Sequence, residues 1–154
     1  MLSGKLVRLI ETNQHEITDR FLRDIQLHPD FIHLRRLPEA ELRERGQVLL
    51  ENLGYWLAAG NQEEIANKYE AVGKTRFEES MPLHECVHAV CLIKQKVMDY
   101  VSEQGFQPDA LELYAEEELG YRLGRLFDLL VIRLVRGYET AWHHKTAMAA
   151  AATA

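Results

Sequence analysis

Between Leu119 and Trp142 the apolar residues return every three or four positions without a break. Leu119, Leu123, Leu126, Leu130 and Leu134 mark one seam, and beside it run Gly120, Gly124, Phe127, Val131, Val135, Tyr138 and Trp142. A period of 3.6 stacks such positions on one side of an α-helix. A helix from Ala110 to beyond Trp142 would be roughly 45–50 Å long at 1.5 Å per residue. One seam serves the core of a domain, and a second needs another helix of the same bundle or a second subunit. The first half of the helix is expected to pack within its own chain. Beyond Val135, where it outruns the domain, a second copy is expected. The seam Phe127, Val131, Val135, Tyr138 and Trp142 is therefore the candidate surface for dimerisation and output. Gly120-x-x-x-Gly124 would permit a close helix approach there.

The same period governs the rest of the chain, which has no alternating strand pattern and no Asn-Gly or Asp-Gly hairpin pair. A first helix is predicted from about Ser3 to Leu27, apolar at Leu6, Ile10, Ile17, Phe21 and Ile25 and stopped by His28-Pro29. Phe31, Ile32 and Leu34 would tuck a connector under the bundle. A second helix starts near Pro38, turns Leu42, Leu49, Leu53 and Trp56 inward, and stops at Ala59-Gly60. Asn61 caps a short third helix, with Glu64 as its reciprocal partner, ending at Gly73. Ser80 and Pro82 open a fourth, with Leu83, Val87, Val90, Val97 and Val101 on one face. Lys94 interrupts that face but can lay its stem along the core. Gly105 ends this helix, and Asp109 caps the fifth with Glu112 as partner. The expectation is an all-α domain over residues 1–145, a globin-like or up-and-down bundle of about five helices with a long C-terminal helix. A flexible Ala-rich tail follows over 146–154.

Length and charge exclude several function classes. With 154 residues the chain can bury a single core. A formal charge of −6 disfavours nucleic acid and anionic membrane as partners. No apolar run approaches the roughly 18 residues of a membrane span, and the start lacks the apolar core of a signal peptide. Cys86 and Cys91 sit five apart on one helix, facing different ways, and do not easily pair, which suits a reducing compartment. A cytoplasmic protein of bacterial type is expected.

The sharpest chemical string is His84-Glu85-Cys86-Val87-His88. His-Glu-x-x-His on a helix sets two imidazoles about 40° apart to hold zinc, with the glutamate as general base. A zinc-dependent hydrolase on His84, Glu85 and His88 is thus the alternative function. Its third ligand is unmarked, and there is no strand against which to align a substrate. A haem-binding globin using His84 or His88 as proximal ligand is a more remote reading. Arg122, Arg125, Arg133 and Arg136 form a basic stripe, read as a solvated face balanced by acidic neighbours, with a docking strip for an acidic partner protein as the alternative. Arg76 and Glu85 flank the turn before the fourth helix and are expected to pair at the surface, for about 1 kcal/mol or less. No Gly-rich phosphate loop, Cys-x-x-Cys pair or nucleophile elbow occurs. No catalytic residue, cofactor or metal ligand is therefore assigned. A ligand pocket, if the bundle forms one, is sought at Trp56, Tyr69, His84 and His88.

One stretch carries a further signature. Arg45 leads into Leu49-Leu50, Leu53, Trp56-Leu57 and Gly60, followed by Tyr69, Gly73-x-x-Arg76 and Met81-Pro82-Leu83-x-Glu85. Over residues 5–140 this resembles the N-terminal sensor domain of RsbRD-type regulators, co-antagonists in bacterial stress-response signalling. Similar domains stand in front of sensor histidine kinases. The resemblance implies a globin-like fold without haem. It also implies a non-enzymatic sensing role through protein–protein interaction, as a homodimer with output through the last helix. The partner would be a regulatory protein or a fused output domain. No output domain follows here, so the chain would be a fragment of a longer regulator or act by binding alone. The resemblance gives His84 and His88 no role.

Overall fold

A computed structural model describes residues 2–104 and 110–153. Among them the chain is all-α, with no strand. The helices are α1 (Gly4–Thr12), α2 (Gln14–Leu27), α3 (Glu39–Glu51), α4 (Leu53–Leu57), α5 (Gln62–Glu78), α6 (Leu83–Glu103) and α7 (Ala110–Thr153). Two 3₁₀ turns, Pro29–Phe31 and Leu34–Arg36, join α2 to α3. The expected stop at Gly105 and cap at Asp109 lie outside the described residues.

The apolar period decided burial. Leu6, Ile10, Ile17, Phe21 and Ile25 are buried, as are Leu42, Leu49, Leu53 and Trp56, and all five leucines of the first α7 seam. On α6, Val90, Val97 and Val101 are buried, and Leu83 and Val87 pack at the margin. In the connector Phe31 and Leu34 are buried, whereas Ile32 points to solvent. No helix is long and apolar enough to cross a membrane, among the described residues.

Period alone did not mark the breaks. The expected first helix is cut at Asn13, whose Nδ2 and backbone N–H both donate to the Leu9 carbonyl and so terminate α1. The second is cut at Asn52, between α3 and α4. Asn and Asp compete with helix continuation because a short polar side chain bonds nearby backbone. The capping box at Asn61 does not form. Asn61 Nδ2 donates to the Tyr55 carbonyl at 3.0 Å, and Glu64 instead accepts from the Tyr55 hydroxyl at 2.8 Å.

Gly73 does not end the third helix, which runs on to Glu78. Its role is to let α5 cross α7. A Cβ at Gly73 would overlap the Leu134 carbonyl oxygen, and one at Gly137 would overlap the Glu70 carbonyl oxygen. Ala66 and Ala141 are buried on the same two faces. The close approach expected at Gly120 and Gly124 is thus made elsewhere. Gly124 has open space where a side chain would stand, and Gly120 has only the Met98 methyl 3.8 Å away. Helix α7 is the spine of the domain: α5 packs along it, α6 leans on both α7 and α2, and α3 lies across α2.

Candidate functional site

The structure takes the His-Glu-x-x-His string apart. Glu85, at the first turn of α6, is 1% exposed. One carboxylate oxygen accepts the backbone N–H groups of His33 and Leu34, at 2.9 and 3.0 Å, and the other meets His33 Nδ1 at 2.6 Å. Burial alone would raise its pKa. The Leu34 amide, the His33 side chain and the His33 amide outweigh that and hold Glu85 below its ordinary value. Glu85 therefore clamps the second 3₁₀ turn onto α6, and both its oxygens are engaged. His84 is exposed. His88 is half-buried, with its Nδ1 3.2 Å from an Asp30 carboxylate oxygen. The motif thus resolves into an outward imidazole, a structural carboxylate and an imidazole facing the connector.

Arg76 and Glu85 do not pair, and neither is exposed. Arg76 is 4% exposed, and its Nη1 donates to Glu41 at 2.9 Å and Glu79 at 3.0 Å. It ties α5 to α3 instead of to α6. The basic stripe on α7 is likewise divided. Arg133 is buried against α5, donating to Glu63, Asn67 and Glu70. Arg122 donates to the Leu57 carbonyl, Arg125 lies on the Tyr121 ring, and Arg136 is exposed.

A cavity of about 60 Å³ opens between α2, α3, α5, α6 and α7, its walls including Leu42, Tyr69, Cys86, Ile93 and Leu134. Of the four residues proposed from sequence, only Tyr69 lines it. Trp56 is buried under α3, where its Nε1 donates to the Val48 carbonyl at 3.1 Å. His84 and His88 lie outside the cavity walls. Desolvation pushes the Tyr69 hydroxyl up to about 12, against the opposing charge of Arg45. It pushes the Cys86 thiol up to about 11, with Arg76 opposing. Both groups are neutral at physiological pH, so the cavity presents a phenol, a thiol and apolar walls, with Arg45 exposed at its margin. A single water requires ~10–15 Å³ on this measure, and a benzene-sized ligand occupies a cavity of ~150 Å³. The space therefore suits a molecule of a few heavy atoms.

The dimer and output seam is split by depth. Phe127 is buried in the chain's own core, and Val131 packs against its edge. The Tyr138 hydroxyl donates to the Met81 carbonyl at 2.6 Å, and its ring meets Phe77 edge-on at 5.3 Å. Val135 is half-buried, and Trp142 is 53% exposed. The apolar side chains that α7 leaves in solvent include three the sequence reading passed over: Tyr114, Tyr121 and Ile132. Each lies among charged neighbours, and a helical wheel centred on the leucine seam places all three opposite it. His28 and Asp30, the former read only as part of a helix stop, come to lie against His88. The distance along the chain between them leaves no local signal for that meeting.

No protein-family model, curated protein or solved structure matches the chain. The resemblance to RsbRD-type sensor domains rests on the residues quoted for it.

Proposed function

We propose that this chain is a non-enzymatic signalling domain, of the RsbRD-type sensor class in bacterial stress regulation, that dimerises and passes its state along α7. The observation that carries the reading is the length and exposure of that helix. It spans 44 residues, about 66 Å at 1.5 Å per residue. From Trp142 to Thr153 every side chain is exposed, although His144 to Ala149 still border a groove against the end of α5. On the opposite side from the core, Tyr114, Tyr121 and Ile132 are 62%, 65% and 56% exposed. Aromatic and aliphatic anchors rimmed by charge are the composition of an association surface.

A rigid helix anchored along one side by α5 and α6 transmits a shift in the bundle to its free end, provided two packings lie close in energy. The cavity abuts Leu134 on α7 and Tyr69 on α5, so a small molecule entering it would press on the α5–α7 crossing. The partner would be a regulatory protein or an output domain reached by the free end. Glu85, engaged with the connector, supports a structural reading of the histidine string over the hydrolase one.

Sedimentation of the full chain across a concentration series tests this. A reversible monomer–dimer equilibrium is expected, and Tyr121→Glu with Ile132→Glu should shift it to monomer while leaving the helical circular dichroism signal intact. A chain that stays monomeric at about 1 mM, where even a Kd near 100 µM would show, removes the basis of the reading.

A further inference from the structure

We propose that His28, Asp30 and His88 form a binding site for a divalent transition-metal ion, Zn²⁺ in preference to Mg²⁺ or Ca²⁺. Each residue offers one ligand atom, and these atoms all lie within 4.8 Å of one another. His28 ends α2, Asp30 follows in the first 3₁₀ turn, and His88 projects from α6. Donors on one tetrahedral zinc ion sit about 3.4 Å apart at bond lengths near 2.05 Å. The three groups would therefore need only side-chain rotation to close on an ion. Two imidazoles and one carboxylate are borderline donors that suit zinc, nickel or copper, whereas magnesium and calcium take oxygen ligands. Three protein ligands leave a position open to water.

The backbone that presents these groups is fixed independently of any ion. The His28 N–H donates to the Asp24 carbonyl at 2.8 Å. Arg35 forks over the turn, donating to the His28 carbonyl at 2.7 Å and the Phe31 carbonyl at 2.8 Å. Beneath both imidazoles lies the fully buried Phe31 ring, 5.6 Å from His28 and 4.7 Å from His88 between centroids. Glu85, one turn before His88 on α6, anchors the connector through the His33 and Leu34 amides. Connector and helix are thus held in register at two points, which is the support a metal site needs to keep its geometry. His28 Nδ1 now accepts the Asp30 backbone N–H at 3.1 Å. If that nitrogen becomes the ligand, the amide passes to water, as the exposure of Asp30 permits.

The His88–Asp30 pair accounts for the 3.2 Å contact and the Asp30 amide for the pose of His28; the convergence of both imidazoles on one carboxylate is what suits an ion. The site does not depend on the signalling reading, and an ion there would staple the α2–α3 connector to α6. The test is calorimetric titration of the untagged full chain with ZnCl₂, in a His143→Ala, His144→Ala background that removes the adjacent imidazoles on exposed α7. One zinc per chain is expected. Asp30→Asn and His88→Ala should each weaken it about tenfold or more, the loss seen even for outer-sphere partners. His84→Ala should leave it unchanged. Asp30→Asn alters only an exposed side chain, so its result stands even if His88→Ala misfolds. Zinc should also move the ring ¹⁵N resonances of His28 and His88 and not those of His84. Absence of uptake, uptake indifferent to Asp30→Asn, or uptake lost with His84→Ala would each overturn the proposal.

Discussion

Replacing glycine by alanine at two places on α7 should change stability in opposite directions. In a solvated helix interior the change is favourable by about 1 kcal/mol, because alanine restricts the unfolded chain and forms helix better. Gly120 meets only the end of Met98 at 3.8 Å, an ordinary contact, so Gly120→Ala should gain close to that amount. At Gly137 the new methyl would run into the Glu70 carbonyl oxygen, and at Gly73 into that of Leu134. Both obstacles are helix backbone, which cannot rotate aside as a side chain can. The helices must part, loosening the contacts of Tyr69, Val72, Leu130 and Leu134, all buried. Overpacking of a core costs about 1–3 kcal/mol and sometimes more. For a backbone clash we take about 4 kcal/mol, which leaves a net loss of about 3 after the propensity gain. At about 2–4 °C per kcal/mol for a domain of this size, Tm should fall by roughly 6–12 °C in Gly73→Ala and Gly137→Ala. It should rise by a few degrees in Gly120→Ala. Urea unfolding followed by far-UV circular dichroism at a fixed low concentration gives the same differences as ΔΔG. A Gly137→Ala chain as stable as Gly120→Ala would refute the close crossing and the account of α7 as a spine.

Other outcomes follow from single sites. Glu85→Ala should cost about 3 kcal/mol, since it leaves two N–H groups and His33 without their buried acceptor. Because Glu85 is held below its ordinary value in the fold, its stabilising contribution is complete above about pH 4.3, the unfolded glutamate range, and is lost as pH falls through the lower folded value. Glu85→Gln should therefore unfold with a flatter acid limb than the wild type in an acid titration. Cys91 is exposed, and Cys86 is buried with its thiol pushed up to about 11. Reaction with a chromogenic disulfide at neutral pH should show one fast and one slow thiol, and Cys91→Ser should delete the fast phase; equal rates would contradict the burial of Cys86.

What the sequence disclosed and what it withheld divide along a physical line. The leucines of α7 and the apolar faces of α2 and α3 were legible because burial follows helical period, which is local. The breaks at Asn13 and Asn52 were not, since apolar spacing continues through them; at Asn13 a side-chain bond to the Leu9 carbonyl settles the cut, and at Asn52 the backbone N–H turns to the Leu50 carbonyl. Gly73 was misread for a related reason. Glycine serves both helix ends and close crossings, and only the partner, Leu134 on a distant helix, distinguishes the two. The site fared worse. Glu85 looked like half of a zinc motif because its true partners, the His33 and Leu34 amides, lie in a connector with no pattern of its own. Arg76 was assigned to Glu85 across the turn, whereas the fold gave it Glu41 from α3 and Glu79 at the end of its own helix. Tyr69 lines the cavity, whereas His84 is exposed and Trp56 is turned to the Val48 carbonyl.

The outward face of α7 bears the functional proposal, and disulfide cross-linking probes it most directly. In a Cys91→Ser background, single cysteines replacing Tyr121, Ile132 and, as an exposed reference on α5, Lys68 would be oxidised at micromolar protein concentration. Rapid covalent dimers from the α7 positions and none from α5 are predicted. Equal, slow cross-linking at all three would mean random collision, and α7 would then carry no partner on that face.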